Sequence, residues 1–298
     1  MRTTGPWPIE YDTLGKSDDP AVLLIMGLGM QLTSWPDVFC QALVSAGFRV
    51  VRFDNRDSGL SAHAGDAAPA SVPLAAMRSF FGLPVSCPYT LQDMAQDAVA
   101  VMDELHIIRA HVLGVSMGGM IAQEMAAHFP QRVWSLTSVM SSSGKRSLSR
   151  PRLKAALALL RPPPDPGQTA ALVEHLAKLF EVIGSPDYPQ NPAALRQRIG
   201  QGIARAYSPA GTTRQLLAIL ASGDRRALLK TITAPTLVIH GDADPLIPLS
   251  SGKDTAQQIA GARLEVIPGM GHDLPDALLT PLAALVIAHC SSALSLAA

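Results

Sequence analysis

Six consecutive positions without a polar side chain, Ala21-Val-Leu-Leu-Ile-Met26, set the tightest limit on how this chain can fold. A strand with one wet face alternates apolar with polar residues, so an unbroken run belongs to a strand covered on both faces. Covering both faces takes helices above and below a sheet, and the surrounding sequence supplies them. Ile9 to Leu14 reads as an edge strand. Arg49 to Asp54, His111 to Leu113 and Trp134 to Met140 read as further strands. Between them Ser34-Trp-Pro-Asp37 opens a helix, with Ser34 as cap and Asp37 at the positive end of the dipole, and Gly47 closes it. Thr90-Leu-Gln-Asp93 starts another, followed by an apolar stripe at spacings of three and four that includes Leu91, Met94, Ala98 and Met102. A third runs from about Met117 to His128, where Pro130 stops it.

Strands and helices in this rhythm give right-handed crossovers and an α/β fold: a mostly parallel central sheet with helices on both faces. The rhythm breaks after Met140. From 141 to 233 there are helical stretches, clearest over Gln168–Phe180 and Ala193–Ala206, separated by proline-rich connectors and with no convincing strand. It resumes with strands Thr236–His240 and Arg263–Ile267 and a helix over Pro281–Ala288. Residues 1–140 and 234–298 are therefore expected to form one core, with 141–233 inserted as a helical cap over the catalytic end of the sheet.

Composition narrows the partners. Apolar residues make up 48% of the 298, enough for a large core, and 24 basic residues balance 24 acidic ones. No cationic excess is available for nucleic acid. The longest apolar run, Ala21 to Met30, is half of the ~20 residues that span a bilayer, so no membrane partner is expected. Three cysteines (Cys40, Cys87, Cys290) are an odd number without metal-type spacing, which fits a reducing cytoplasm. Cys87 is read as a packing residue.

Gly114-Val-Ser-Met-Gly118 lies between a buried strand and a helix. A sharp strand-to-helix turn strains the serine backbone, and flanking glycines permit it by removing side-chain clashes. Ser116 is thereby lifted clear of the sheet as a candidate nucleophile. It needs a base and an orienting carboxylate, which on this turn follow in the order acid, histidine. Pro268-Gly-Met-Gly-His272 comes directly after strand Arg263–Ile267, in a loop at the strand's C-terminal end, where ligands bind; His272 is the base. His240, inside a strand, is read as structural. Asp242 and Asp244 both follow that strand. Pro245 and Pro248 stiffen the backbone after Asp244, which favours Asp244 as the acid and leaves Asp242 to hydrogen-bond its own turn. Met117 N–H, just after the nucleophile, and Leu28 N–H, in the Gly27-Leu-Gly-Met30 turn, are the expected oxyanion donors. Gly27, Met30, Phe80 and Phe81 are the candidate pocket residues, with Ser79-Phe-Phe-Gly-Leu-Pro84 as part of an apolar roof.

These motifs resemble those of the α/β-hydrolase superfamily along nearly the whole chain. Asp54-Asn-Arg-Asp-Ser-Gly-Leu-Ser61 is similar to its Asp-x-Arg-Gly-x-Gly-x-Ser loop, and Gly27-Leu28 stands in place of its His-Gly-X oxyanion turn, with Met26 replacing the histidine. Within the superfamily the chain resembles carboxylesterases related to aclacinomycin methylesterase, although the stretch from Ala62 to Tyr89 is longer than in many of them. The resemblance implies Ser116 as nucleophile, Asp244 as acid, His272 as base, and Leu28 and Met117 as oxyanion donors. Serine at this turn separates the chain from the dehalogenases and epoxide hydrolases, which carry aspartate there. The expected activity is that of a serine hydrolase acting on a small-molecule carboxylic ester, with no metal or organic cofactor required. The same side chains would serve a lactonase, a carbon–carbon bond hydrolase, a perhydrolase of haloperoxidase type in which peroxide replaces water, or a slow-turnover ligand receptor. The sequence does not fix the oligomeric state.

Overall fold

A computed structural model describes residues 1–65, 71–159 and 161–295. Residues 66–70 of the long Ala62–Tyr89 stretch and residue 160 of the insertion lie outside the described residues. Seven strands form one sheet: β1 (Tyr11–Leu14), β2 (Ala21–Ile25), β3 (Arg49–Phe53), β4 (Ala110–Val115), β5 (Val133–Val139), β6 (Thr236–Gly241) and β7 (Arg263–Ile267). Their order is β1-β3-β2-β4-β5-β6-β7. β1 runs antiparallel to β3, and every other neighbouring pair is parallel. The chain moves outward from β2 to β3 and then crosses back to β4. The loops leaving β2 and β4 therefore diverge at the C-terminal edge of the sheet, the place where open α/β sheets bind ligands.

The apolar run that constrained the fold is divided between two cores. Ala21, Leu23 and Ile25 face one side with α3 (Leu91–Glu104) and α4 (Met117–His128). Val22, Leu24 and Met26 face the other with α1 (Asp37–Ser45) and α11 (Leu279–Ser295). Thr90 and Asp93 form the expected reciprocal cap at the start of α3. Ser34 does not cap α1. It ends a separate 3₁₀ turn, Leu32–Ser34, and Pro36 precedes the helix without a side-chain cap, because a proline two residues after the serine prevents the backbone from entering the helix there.

The last helix is longer than expected. With the 3₁₀ turn Asp276–Leu278 it forms a stretch of 20 residues, 18 of which in a row have a mean hydropathy of 1.8, long and apolar enough by length and composition to cross a membrane. Ala21–Met30 remains the longest unbroken apolar run, but the helix, interrupted by His289 and the serines after it, is the longer element of high average hydropathy. Leu279, Leu282, Ala283, Val286, Cys290 and Ala293 of α11 form a buried stripe that packs against α1 and β5, the pattern of a core helix.

Between β5 and β6, residues 141–233 contain no strand among the described residues. They form α5 (Leu153–Leu159), α6 (Thr169–Ile183), α7 (Pro192–Arg205), α8 (Pro209–Ser222) and α9 (Arg226–Leu229). Two helices lay outside the sequence reading: α2 (Val72–Phe80), which packs on α8, and α10 (Leu249–Gln258), which packs on β6. The insertion is fastened to the core by buried ion pairs. Arg214 of α8 makes a two-pronged contact with Asp57, Nε to Oδ2 at 2.8 Å and Nη2 to Oδ1 at 2.7 Å, and Tyr89 donates its hydroxyl to the same carboxylate. Arg205 at the end of α7 reaches Asp54 at 2.7 Å. Burial by itself would push the Asp57 carboxyl up, but the Arg214 guanidinium, the Ala64 N–H and the Tyr89 hydroxyl outweigh it and hold it below the usual carboxylate range.

Arg214→Met would leave the Asp57 charge buried without its main partner, and the expected cost is about 3–5 kcal/mol in urea unfolding. Because Asp57 is depressed in the fold, its stabilisation is complete above the unfolded carboxylate pKa and lost as pH falls through the lower folded value. The variant should accordingly show a flatter acid limb. Arg226→Met, at an exposed pair with Asp224, should leave the midpoint nearly unchanged.

Candidate active site

Ser116 joins β4 to α4 with φ 55° and ψ −121°, a left-handed conformation that costs a serine about 1–3 kcal/mol. The Val139 carbonyl accepts its N–H at 2.9 Å, and its own carbonyl accepts the Ser141 hydroxyl at 2.8 Å. The turn closes only because glycine flanks it. A Cβ on Gly114 would lie 2.0 Å from the Gly118 carbonyl oxygen, and one on Gly118 would lie 2.0 Å from the Ile25 carbonyl oxygen. Ser116 remains partly exposed at the sheet's C-terminal edge, while the Met117 side chain behind it is buried.

Two further side chains converge on it from distant loops. His272, in the loop after β7, places Nε2 3.0 Å from Ser116 Oγ and Nδ1 2.7 Å from Asp244 Oδ2. The Leu246 and Ile247 N–H groups each donate to Asp244 Oδ1 at 2.9 Å, so one carboxylate oxygen is fixed by the turn and the other faces the imidazole. The result is a continuous hydrogen-bonded chain from a buried carboxylate through an imidazole to a serine hydroxyl. With Nδ1–H donating to Asp244, Nε2 is left as the acceptor that can take the serine proton.

The two neighbouring candidates fall elsewhere. Asp242 is exposed, and its Oδ1 accepts the Gly269 N–H at 2.7 Å; it ties β6's exit loop to β7's rather than its own turn. His240 is buried with Nε2 2.8 Å from the Ile247 carbonyl, which fixes the proton on that nitrogen. Burial pushes its pKa down, so it stays neutral. Burial pushes the Cys40 thiol up to about 11 and the Cys290 thiol up to about 12, leaving neither as a thiolate nucleophile at neutral pH.

Gly27 lies directly beneath Ser116: a Cβ there would be 3.4 Å from Ser116 Cβ and 3.9 Å from its Oγ. The turn that follows therefore flanks the serine on one side, and the start of α4 flanks it on the other. No hydrogen bond from the Leu28 or Met117 N–H is formed among the described residues. Met30 is partly buried against the core. Phe80 and Phe81 are 61% and 68% exposed and stack edge to face on each other at the end of α2. The buried face of α2, which packs on α8, carries Ala75 and Ser79 instead, which leaves both rings open to solvent.

The sequence reading missed what holds the His272 loop. Ile183 at the end of α6 accepts the His272 N–H at 2.7 Å, and Ser185 Oγ accepts the Gly271 N–H at 2.8 Å. Asp273, next along, is buried and takes hydrogen bonds from Ser185 and Gln190; burial pushes its pKa up despite these donors. The one signal for this lay in Gly184-Ser185, polar and small after an apolar helix, and nothing local said what it would meet.

Comparison with known proteins places these observations in context. Residues 20–276 match the family model described as the alpha/beta hydrolase fold. Rhodomycin D methylesterase from Streptomyces peucetius is 30% identical, over 94% of this chain and 94% of that protein. 3-Oxoadipate enol-lactonase 2 from Acinetobacter baylyi is 26% identical, over 87% of this chain and 84% of its own. Among solved structures, the meta-cleavage product hydrolase from Pseudomonas fluorescens IP01 superposes with a TM-score of 0.75 at 19% identity, covering 98% of both chains.

Proposed function

Since the chain belongs to the α/β-hydrolase family, we propose that it is a serine hydrolase of small-molecule carboxylic esters. The observation that carries this reading is the hydrogen-bonded chain from Asp244 through His272 to Ser116. Ser116 Oγ attacks the ester carbonyl carbon as His272 Nε2 takes its proton. Asp244 holds the imidazole tautomer and stabilises the imidazolium that forms. Charge gathers on the former carbonyl oxygen, where the Leu28 and Met117 N–H groups receive it. The tetrahedral intermediate collapses, and the alcohol leaves with the proton from His272. Water then gives a proton to the same nitrogen and attacks the acyl-serine, releasing the acid and restoring the enzyme.

In this reading residues 1–140 and 234–298 are the catalytic core and 141–233 the cap. Support comes from the strandless insertion and from its contact with the base loop, where Ile183 accepts the His272 N–H. The methylesterase relative supports an ester as substrate. The enol-lactonase relative favours a second reading, since a lactone is an ester closed on itself and the same steps open it.

Purified protein should hydrolyse p-nitrophenyl acetate and be labelled at Ser116 by a fluorophosphonate. Ser116→Ala removes one partly exposed hydroxyl and should stay folded while losing about 10⁴-fold or more in kcat. An active Ser116→Ala protein overturns the proposal. A panel of lactones run beside simple esters decides between the two readings by the ratio of kcat/KM.

The acid is tested separately. Asp244→Asn should lower kcat by roughly 10³–10⁴-fold, because the amide favours the wrong imidazole tautomer. Asp242→Asn, whose carboxylate holds only the Gly269 N–H, should retain near-native kcat and lose some thermal stability. The reverse ranking would move the role to Asp242.

A further inference from the structure

Helix α8 touches both the turn after β2 and the Asp54–Ser61 loop, and a single side chain bridges them. Gln215 is wholly buried; its Oε1 accepts the Gly29 N–H at 2.8 Å and its Nε2 donates to the Arg56 carbonyl at 2.8 Å. The helix and these loops approach closely. A Cβ on Gly29 would lie 2.7 Å from Thr212 Oγ1, and one on Gly211 would lie 2.0 Å from the Asp57 carbonyl oxygen.

Residues 27–30 form a turn closed by the Met30 N–H on the Gly27 carbonyl at 3.2 Å. Gly29 has φ 67° and Leu28 does not share the left-handed region, which makes it a type II turn. Such a turn has one soft motion, rotation of its central peptide, here Leu28–Gly29. Rotation would turn the Leu28 carbonyl onto Gln215 Oε1, setting two acceptors face to face in a buried place and leaving the Gly29 N–H without its partner. Gln215 therefore holds the central peptide in one orientation. The Leu28 N–H is separated from that peptide by a single residue, and the Gly27 carbonyl on the other end of its own peptide is held by Met30.

We propose that Gln215 is a positioning residue through which the inserted helix keeps the Leu28 N–H aimed at the reacting carbonyl oxygen. This rests on the ester-hydrolase reading above. It gives α8 a part in rate and not only in substrate enclosure: the insertion completes the oxyanion site.

The test is steady-state kinetics on p-nitrophenyl acetate together with the affinity for a trifluoromethyl ketone, which forms an oxyanion on Ser116. Gln215→Met keeps the side-chain length and removes both hydrogen bonds. Its kcat should fall about tenfold to a hundredfold, less than the roughly 10²–10³ lost when a donor is removed outright. KM should stay within about twofold of wild type, and ketone affinity should fall in parallel with kcat. Gln215→Glu keeps an acceptor for the Gly29 N–H but, when ionised, sets its second oxygen against the Arg56 carbonyl, so its kcat should recover in part. If Gln215→Met does not fold, Gln215→Asn, too short to reach both groups, takes its place with the same expected loss. Folded Gln215→Met or Gln215→Asn with unchanged kcat and ketone affinity overturns the proposal, as does equal loss in the glutamate variant. Wild-type protein that neither turns over the ester nor binds the ketone overturns the hydrolase reading itself.

Discussion

The carbonyl oxygen of Ile25, at the end of β2, lies 2.0 Å from where a β-carbon on residue 118 would stand. That approach sets the distance between the first turn of α4 and the strand beside β4, and the rest of the site is arranged around it. With α4 drawn in, Ser116 is forced into its left-handed backbone, and the turn that leaves β2 passes directly beneath it. The strain is local and small beside what surrounds it. β2 and β4 are buried along their whole length, and each large apolar side chain so covered contributes about 1.5–3 kcal/mol. A two-faced apolar sheet offsets the cost of one serine held in a poor conformation several times over.

The insertion is attached on a different principle. Beside the apolar packing of Ala218, Leu229 and Ile232, its contacts with the core run through charge: Arg214 with Asp57, Arg205 with Asp54 and Gln31, and Arg225 with Gln123 and Glu124. Burial pushes the Arg225 guanidinium down to about 10, which leaves it charged at neutral pH. Buried pairs of this kind add little net stability over apolar packing, yet breaking one leaves a desolvated charge behind. The Asp54–Ser61 loop gains its meaning here. Asp54 receives Leu32 N–H, Leu60 N–H and Arg205, Asn55 donates to the Met26 carbonyl, and Arg56 pairs with Asp97 beneath Trp7 and Tyr89.

What could be read in the sequence was what short stretches of chain determine. The parallel sheet followed from apolar runs alternating with helical stripes, and Ser116, Asp244 and His272 each stood in a turn whose glycines or prolines marked it. The strand over Arg263–Ile267 has the predicted bounds, because turn residues delimit it on both sides. Contacts that depend on distant partners were not legible. Arg214 and Gln215 meet groups more than 150 positions away, and their only local trace is a pair of polar residues inside the apolar stretch of α8. The surroundings of Phe80 and Phe81 depend on which side of α2 meets α8, and no local pattern states that. α11 runs to Ser295, beyond the expected end at Ala288, because a helix lying on a sheet needs only one apolar side.

The insertion meets the proposed catalytic groups at two separate points. On one side α8 holds the turn that carries Leu28, and on the other the end of α6 accepts the backbone N–H of His272 itself. A cap that swung away as a rigid body would have to break both of these together with the Asp57–Arg214 pair, at a cost of several kcal/mol, and would release the base and the oxyanion turn as it moved. The geometry is therefore that of an insertion built against the site, with the Leu28 turn and the His272 loop each braced by a different helix of the same segment.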